Sequence, residues 1–192
     1  MKDYLVVYAH PNPKSFNHAI LTAVGKRLGD LSKTYDVREL YALKFNPVLA
    51  GDDFAAIQSK KLPQDILTEQ EYIRNAEALL FIYPIWWFGM PAILKGYIDR
   101  VFSYGFAYDV DPKEGLRGLL PEKDVVIINT TGGPEKNYKK IGFTDALKKT
   151  TDVGTFGLCG MKVVMHKYFY GVTTVSLEVR KAMLEEIGEM KL

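Results

Sequence analysis

The chain has 192 residues, which is enough for one domain with a substantial core but short for two, so we expect a single domain over 1–192. Hydrophobic residues make up 47% and charged residues 25% of the chain, which excludes a disordered or fibrous protein. The net charge of +2 comes from 25 basic and 23 acidic residues spread along the sequence. This balance gives no broad basic field, so nucleic acid and anionic lipid are not expected partners.

The cysteine count and the absence of a signal peptide or a membrane helix indicate in which cellular compartment the protein is expected. Cys159 is the single cysteine, which excludes an internal disulfide, a CxxC motif and a multi-cysteine metal site, and no metal is predicted. The chain enters an apolar run at Tyr4 without a signal-peptide pattern. The uncharged run 78–94 is shorter than a membrane helix and contains Pro84 and Pro91. We therefore expect a cytoplasmic protein with no membrane span.

The predicted elements alternate between strands and helices along the chain. Apolar and β-branched runs predict strands at 4–9, 35–40, 78–83, 124–130 and 162–168. Apolar residues at helical spacing predict helices at 17–31, 68–75, 91–103, from about 144, and at 176–190. Two stretches are expected to be irregular, at 45–68 and 109–122. The start of the second helix rests on Thr68 and Glu71, which have capping-box spacing.

This alternation predicts an α/β fold, a doubly wound sheet of five parallel strands with helices on both faces. Ligands of such sheets bind beyond the carboxyl ends of the strands, near the point where the strand order reverses. Three loops lie at that edge, at 10–17, 84–91 and 130–138. We therefore expect the functional site to be built from these loops.

The first loop has neither a GxGxxG motif nor a P-loop signature. Ser15, Phe16 and Asn17 lie where the first helix begins, and there the free N–H groups and the helix dipole favour a phosphate. His10 and Lys14 add possible donors. The alternative is that Ser15 or Asn17 only caps the helix and that His10 only completes a turn.

The second loop contains Trp86, Trp87 and Phe88, whereas loops are usually polar. A planar ligand such as an isoalloxazine ring would cover these side chains. The N–H groups of Trp87 and Phe88 would then reach the ring edge, and Gly89 would permit a close approach. The alternatives are a hydrophobic dimer interface or a local core plug.

The third loop, Thr130-Thr131-Gly132-Gly133, follows a buried strand. Its hydroxyls and glycines provide donors with little bulk to keep a flat ring away, and Tyr138 adds a hydroxyl. The alternative is a turn that only ends the strand.

With these loops in place, the sequence resembles the NAD(P)H:quinone oxidoreductase and modulator-of-drug-activity family. The likeness covers most of the chain, and its signatures lie in five segments. They are Ala9-His10 with Ser15-Phe16-Asn17, the run 41–47 (YALKFNP), the run 87–96 (WFGMPAILKG), Arg100-Val101-Phe102 with Phe106-Ala107-Tyr108, and Thr130-Thr131-Gly132-Gly133.

The resemblance implies a flavodoxin-like fold, a noncovalent flavin and a homodimer. It places His10, Ser15, Phe16 and Asn17 at the phosphates and ribityl chain, and Pro84, Ile85, Trp87 and Phe88 at the ring. It places Thr130, Thr131, Gly132, Gly133 and Tyr138 at the pyrimidine side, and Arg180 and Leu184 at the adenine of FAD. FAD is therefore the expected cofactor, with FMN the second choice and NAD(P)H the co-substrate.

The implied reaction is a ping-pong transfer of hydride from NAD(P)H through flavin N5 to a quinone-like acceptor. Tyr138 and Tyr108 match tyrosines that assist catalysis in the family, on the flavin side and the acceptor side respectively. Thr144 stands where the mammalian enzymes have a histidine, and Val110 replaces a second pocket tyrosine. The alternatives are an ancillary subunit of a potassium-efflux system and a flavodoxin-type electron carrier. The net charge counts against the carrier, since such carriers are usually strongly acidic.

Overall fold

The computed structural model describes residues 1–192, and its elements alternate as the sequence predicts. The strands are β1 (Lys2–Tyr8), β2 (Tyr35–Glu39), β3 (Ala76–Pro84), β4 (Tyr108–Asp111), β5 (Gly115–Gly118), β6 (Asp124–Thr130) and β7 (Lys162–Phe169). The helices are α1 (Phe16–Asp30), α2 (Gly51–Ser59), α3 (Gln64–Arg74), α4 (Ala92–Val101), α5 (Glu135–Lys140), α6 (Phe143–Lys148) and α7 (Leu177–Gly188). A π-helical segment, Lys149–Gly157, continues α6. No helix has both the length and the apolar character needed to cross a membrane.

Five strands form one sheet in the order β2-β1-β3-β6-β7, and every neighbouring pair is parallel. The prediction of a doubly wound five-stranded parallel sheet is confirmed. The chain leaves β1 towards β2 on one side and returns to β3 on the other, so the strand order reverses between β1 and β3. The carboxyl ends of β1, β3 and β6 therefore lie next to each other at one edge of the sheet.

Each strand contributes to two cores because its side chains point alternately to opposite faces. Leu5 and Val7 of β1 pack with α3, α4 and the π-helical segment, whereas Val6 and Tyr8 pack with α1 and α7. The central strands are covered on both faces, which explains why they read as nearly continuous apolar runs.

The prediction of an irregular connection over 45–68 was wrong, because this stretch contains α2 and the start of α3. Asp53 is the only buried residue of α2, and both of its carboxylate oxygens accept hydrogen bonds from the guanidinium of Arg100 in α4. Arg100 also donates to the carbonyl of Asn46, at 3.0 Å. This partner lies 47 residues beyond Asp53 in the chain, so local periodicity could not reveal the helix.

Three further boundaries differ from the prediction. Helix α3 begins at Gln64, so Thr68 and Glu71 lie inside the helix and do not cap it. The stretch 109–122 contains most of the antiparallel hairpin formed by β4 and β5. The helix predicted from about 144 is preceded by α5, and α6 begins at Phe143 and runs into the π-helical segment.

Candidate functional site

A cleft of about 900 Å³ opens at the carboxyl ends of β1, β3 and β6. All three predicted loops contribute to its wall, together with the segment that follows β7 and with α7. Its lining residues are His10, Asn12, Ser15, Phe16, Asn17, Pro84, Ile85, Trp86, Trp87, Thr130, Thr131, Gly132, Tyr138, Val172, Thr173 and Arg180. The cleft is within the size range of small-molecule and cofactor sites. A smaller cavity of about 470 Å³ lies at the opposite edge of the sheet, remote from these loops.

The first loop presents unpaired donors at the start of α1. Ser15 caps the helix, since its Oγ accepts a hydrogen bond from the His18 N–H at 3.2 Å. The N–H groups of Phe16 and Asn17 have no hydrogen-bond partner in the chain. They lie at the positive end of the helix dipole, where an anion is stabilised. The capping role of Ser15 and a phosphate site are therefore compatible.

His10 and Asn17 add two polar side chains to the cleft, and their hydrogen bonds define the tautomer of the first and the orientation of the second. The Nδ1 of His10 accepts a hydrogen bond from the Asn12 N–H at 3.0 Å, and burial lowers the pKa of this imidazole. A neutral His10 with its proton on Nε2 satisfies both observations. Asn17 is buried and donates from Nδ2 to Thr130 Oγ1 at 2.8 Å, but its Oδ1 accepts nothing. Such an unpaired buried acceptor is costly unless a ligand supplies a donor.

The second loop is a strained two-residue turn. Trp86 and Gly89 exchange backbone hydrogen bonds of 3.1 and 3.0 Å, while Trp87 and Phe88 between them have φ of +48° and +58°. Both central residues are left-handed, as in a type I′ turn, which normally carries glycine or asparagine. Trp87 is 99% exposed, and the N–H groups of Trp87 and Phe88 have no partner in the chain. Bulky residues persist in this region mainly where function requires it.

The third loop is joined to the second and supports Tyr138. The Thr130 carbonyl accepts a hydrogen bond from the Ile85 N–H at 2.8 Å, so the two loops have a fixed spacing. The Tyr138 ring packs against Phe88 and Phe143, with centroids 6.0 and 5.3 Å apart. The Tyr138 hydroxyl makes no hydrogen bond within the chain, so it is free to donate to a ligand.

A family model described as the flavodoxin-like fold matches residues 2–190. This match covers nearly the whole chain and agrees with the observed strand order. The chain belongs to the flavodoxin-like family. The predicted resemblance is confirmed at this level.

Relatives of this flavodoxin-like protein are oxidoreductases by name. It is 35% identical to an NAD(P)H oxidoreductase of Haemophilus influenzae, over 95% of this chain and 91% of the relative. It is 34% identical to the ribosyldihydronicotinamide dehydrogenase [quinone] of Rattus norvegicus, over 95% of this chain and 87% of the relative. The solved NAD(P)H:quinone oxidoreductase of Methanothermobacter marburgensis superposes with a TM-score of 0.87 at 29% identity, covering 98% of this chain and 96% of that one. The prediction of an NAD(P)H dehydrogenase (quinone)-like enzyme is confirmed.

The cleft of this flavodoxin-like chain brings together most of the predicted site residues. Those that line it are His10, Ser15, Phe16, Asn17, Pro84, Ile85, Trp87, Thr130, Thr131, Gly132, Tyr138 and Arg180. Phe88 and Gly133 do not line the cleft themselves, but each lies against Tyr138, which does. Leu184 packs instead against the core between the sheet, α1 and α7.

Tyr108 lies outside the cleft of the single chain. It lines a separate groove of about 420 Å³ with mainly apolar neighbours such as Phe54, Tyr104 and Leu158. Val110 is 56% exposed on the nearby hairpin. Thr144, which the resemblance predicted at the place of the family histidine, lies with its Oγ1 3.2 Å from the hydroxyl of Tyr170.

Three residues of the cleft were missed from the sequence, whereas Trp86 was expected there as part of the aromatic second loop. Asn12 lies inside the first loop, but Val172 and Thr173 follow β7. The Val172 N–H donates to the Thr131 carbonyl at 3.0 Å, and Thr173 Oγ1 donates to the Gly132 carbonyl at 3.1 Å. The rule that selected the other loops applies equally to the carboxyl end of β7, so extending it to the fifth strand would have found this segment.

Proposed function

We propose that the protein is a flavin-dependent NAD(P)H oxidoreductase that transfers a hydride from NAD(P)H through flavin N5 to quinones or similar acceptors. The observation that carries this proposal is the strained turn at Trp87 and Phe88, which leaves two unpaired N–H groups beside a large open cleft. The names of the relatives support NAD(P)H as the donor and a quinone as the acceptor. We further propose that 1–192 is a single flavin-binding domain that acts in the cytoplasm.

The residues present fit a flavin. The unpaired N–H groups of Phe16 and Asn17 suit a phosphate, and a hydroxyl of the ribityl chain would supply the donor that the buried Asn17 Oδ1 lacks. Gly132 has no side chain at the cleft wall, and a Cβ there would meet nothing closer than Thr173 Oγ1 at 3.7 Å. The wall is therefore open at this position to a flat ring.

The chain's own residues then have distinct tasks. We propose that His10, Ser15, Phe16 and Asn17 bind the phosphate and ribityl chain and that Pro84, Ile85, Trp87 and Phe88 hold the ring. The pyrimidine side would face Thr130, Thr131, Gly132, Gly133 and Tyr138. A bound flavin supplies the two-electron hydride chemistry, which no side chain of the cleft can supply. The free hydroxyl of Tyr138 would stabilise negative charge developing on that side of the site.

The proposed order is ping-pong, in which both reactants would use one open cleft in turn. NAD(P)H and the acceptor would occupy the same space beside the exposed face of Trp87, one after the other. Steady-state rates measured at several fixed acceptor concentrations should give parallel lines in double-reciprocal plots. Intersecting lines would contradict this order but leave the flavin site untouched.

Arg180 favours FAD over FMN. It lines the cleft from α7, and its Nη1 donates to the Val172 carbonyl at 3.2 Å, which holds the guanidinium at the cleft wall. A ligand longer than FMN would reach it. We expect Arg180→Ala to weaken FAD binding while leaving FMN binding unchanged, as measured by quenching of flavin fluorescence. Equal losses for both flavins would place Arg180 elsewhere in the site.

The apolar groove around Tyr108 supports a homodimer. Phe54 and Tyr104 at this groove are 55% and 52% exposed, which is costly for large apolar side chains in a monomer. A second copy would cover them and bring Tyr108 towards the acceptor side of a composite site. Sedimentation should show a dimer that Phe54→Glu dissociates. A wild-type monomer at micromolar concentration would contradict the proposal.

The decisive test is the identity of the bound flavin. The purified protein should be yellow, should bleach anaerobically with NAD(P)H, and should regain its colour with menadione. Chromatography of the released flavin distinguishes FAD from FMN. Direct reduction by NAD(P)H separates this enzyme from a flavodoxin-type carrier, which needs a separate reductase. A colourless protein that neither flavin reconstitutes would refute the proposal.

A variant at Gly132 tests the proposed position of the ring. Gly132→Val places a branched side chain at the cleft wall and should weaken flavin binding by at least tenfold, with a smaller loss for Gly132→Ala. Both variants should fold, because the glycine is not left-handed and a Cβ has ordinary clearance. Unchanged flavin affinity in a folded valine variant would exclude this placement.

A further inference from the structure

His166 is the centre of a buried polar cluster behind the cleft. Its side chain is 2% exposed, with Nε2 2.8 Å from Asn129 Oδ1 and Nδ1 2.7 Å from Asp152 Oδ1. Asn129 donates from Nδ2 to the Tyr83 carbonyl at 3.1 Å, so its oxygen is the atom that faces the imidazole. Both ring nitrogens therefore face acceptors, and the Tyr168 hydroxyl also lies 3.3 Å from Nδ1. Both hydrogen bonds form together only when the ring carries two protons.

The first branch of this cluster reaches the two strands that end at the cleft. Asn129 directly precedes Thr130, and Tyr83 directly precedes Pro84, and both of these following residues line the cleft. The hydrogen bonds from His166 to Asn129 and from Asn129 to Tyr83 thus connect β7, β6 and β3 just below the site. The carboxylate of Asp152 is the stronger acceptor and retains the proton on Nδ1, so the second proton leaves from Nε2. The bond to Asn129 is then lost, and the Asn129 side chain is held only by the Tyr83 carbonyl.

The second branch is a column of stacked rings. His166, Tyr168 and Tyr170 occupy alternate positions, and their successive centroids are 4.3 and 5.7 Å apart. Tyr170 then packs against Tyr138, 5.8 Å away, and its hydroxyl contacts Thr144 Oγ1. The column therefore begins at the buried imidazole and ends at the cleft wall.

Burial and the neighbouring charges together set the pKa of the His166 imidazole. Burial lowers the pKa of His166, Asp152 opposes this effect, and Lys148 of α6 reinforces it. Burial also raises the pKa of Tyr83 and Tyr168, so both phenols stay neutral beside Asp152. His166 consequently loses its second proton at a lower pH than an ordinary histidine.

We propose that His166 is a positioning residue for the cleft: its ring holds Tyr138 through the stacked tyrosines, and its second proton, present at low pH, additionally fixes the ends of β3 and β6 through Asn129. This inference rests on the proposed function, because the ligand whose affinity it sets is the flavin. His166 touches no ligand and acts only through these neighbours.

The first measurement uses the ligand-free protein and needs no activity. Carbon-13 NMR of labelled histidine and tyrosine should show the ring signals of Tyr138 shifting with the titration midpoint of His166. His166→Phe keeps a ring in the stack but removes both donors, and in it this shift should vanish. Lys167→Gln is the matched control: it lies one position along β7, removes a charge and an exposed ion pair with Glu186, and should behave as wild type.

The second measurement is FMN affinity between pH 5 and pH 8. Wild type should bind FMN roughly three- to tenfold more tightly below the His166 midpoint, the equivalent of about one hydrogen bond. His166→Phe should remain at the weaker value throughout, and Asp152→Asn should move the transition to lower pH. His10 also titrates in the cleft, but it is present in every variant, so the difference between profiles belongs to His166.

The outcomes distinguish the two proposals. The positioning role would be overturned if the NMR signals of Tyr138 do not shift when His166 titrates, or if the FMN affinity of His166→Phe depends on pH as that of wild type does. Neither result would contradict flavin binding. Failure of wild type to bind FMN or FAD would overturn the proposed function. In that case, a Tyr138 shift that follows His166 in the ligand-free protein would still support the connection between them.

Discussion

Replacing Trp87 with glycine should stabilise the ligand-free protein. The indole is 99% exposed, so its removal sacrifices no buried apolar surface. Its φ of +48° costs a non-glycine residue about 1–2 kcal/mol, whereas glycine adopts it freely. Glycine loses about 0.5–1 kcal/mol through the greater entropy of the unfolded chain. The midpoints of these two ranges give a net expected gain of about 0.75 kcal/mol, which corresponds to roughly 1.5–3 °C in melting temperature for a chain of this size.

Urea unfolding followed by far-ultraviolet circular dichroism measures this gain without relying on the tryptophan that is removed. The midpoint should rise at an unchanged slope, since the surface exposed on unfolding stays the same. Trp87→Ala is the matched control, because it removes the same indole but keeps a Cβ in the left-handed region. The reasoning is wrong if the glycine variant is no more stable than the alanine variant.

Three further predictions concern residues away from the cleft. Gly96→Ala should destabilise the protein by about 1–3 kcal/mol, as measured by urea unfolding, although alanine has the better helix propensity. The reason is that the new Cβ would lie 2.0 Å from the Pro47 carbonyl oxygen. Wild-type stability of this variant would mean that the contact relaxes freely. The hydrogen bonds from Arg100 hold the pKa of Asp53 below its usual value. The ion pair's contribution to the free energy of unfolding should therefore be complete above about pH 4 and be lost as the pH falls through the lower folded pKa. This loss of stability in acid should be smaller in Asp53→Asn. Burial raises the pKa of Cys159 to about 11, so a thiol reagent at pH 8 should modify it only after unfolding, and rapid modification of the native protein would contradict the buried placement.

The sheet could be predicted from the sequence because its signals are local. Strand β6 was predicted with its observed bounds, since a buried apolar run stands between a charged residue and a glycine turn. Helix α2 was missed for the opposite reason. Only Asp53 of this helix is buried, and its partner Arg100 comes from a distant part of the chain. A helix with one buried carboxylate and only half-buried apolar residues such as Ile57 shows too weak an amphipathic pattern to be recognised.

The candidate site divides in the same way. Loops at the carboxyl ends of β1, β3 and β6 follow from the topology alone, and the structure brings all three to one cleft. The polar partners of His166 were invisible, because Asn129 and Asp152 lie on separate elements and face the ring only once the sheet has formed. The left-handed turn at Trp87 was also unpredictable, since its sequence contradicts the usual preference for glycine or asparagine.

The common direction of the five strands gives the protein two chemically different ends. Met1 is 86% exposed at the amino edge of the sheet, while the cleft opens at the carboxyl edge. Strand β1 has 7 residues, which at about 3.3 Å per residue separates these edges by roughly 20 Å. A dye, an affinity tag or an electrode surface coupled at Met1 would therefore leave the cleft facing solution, separated from the attachment point by the length of strand β1.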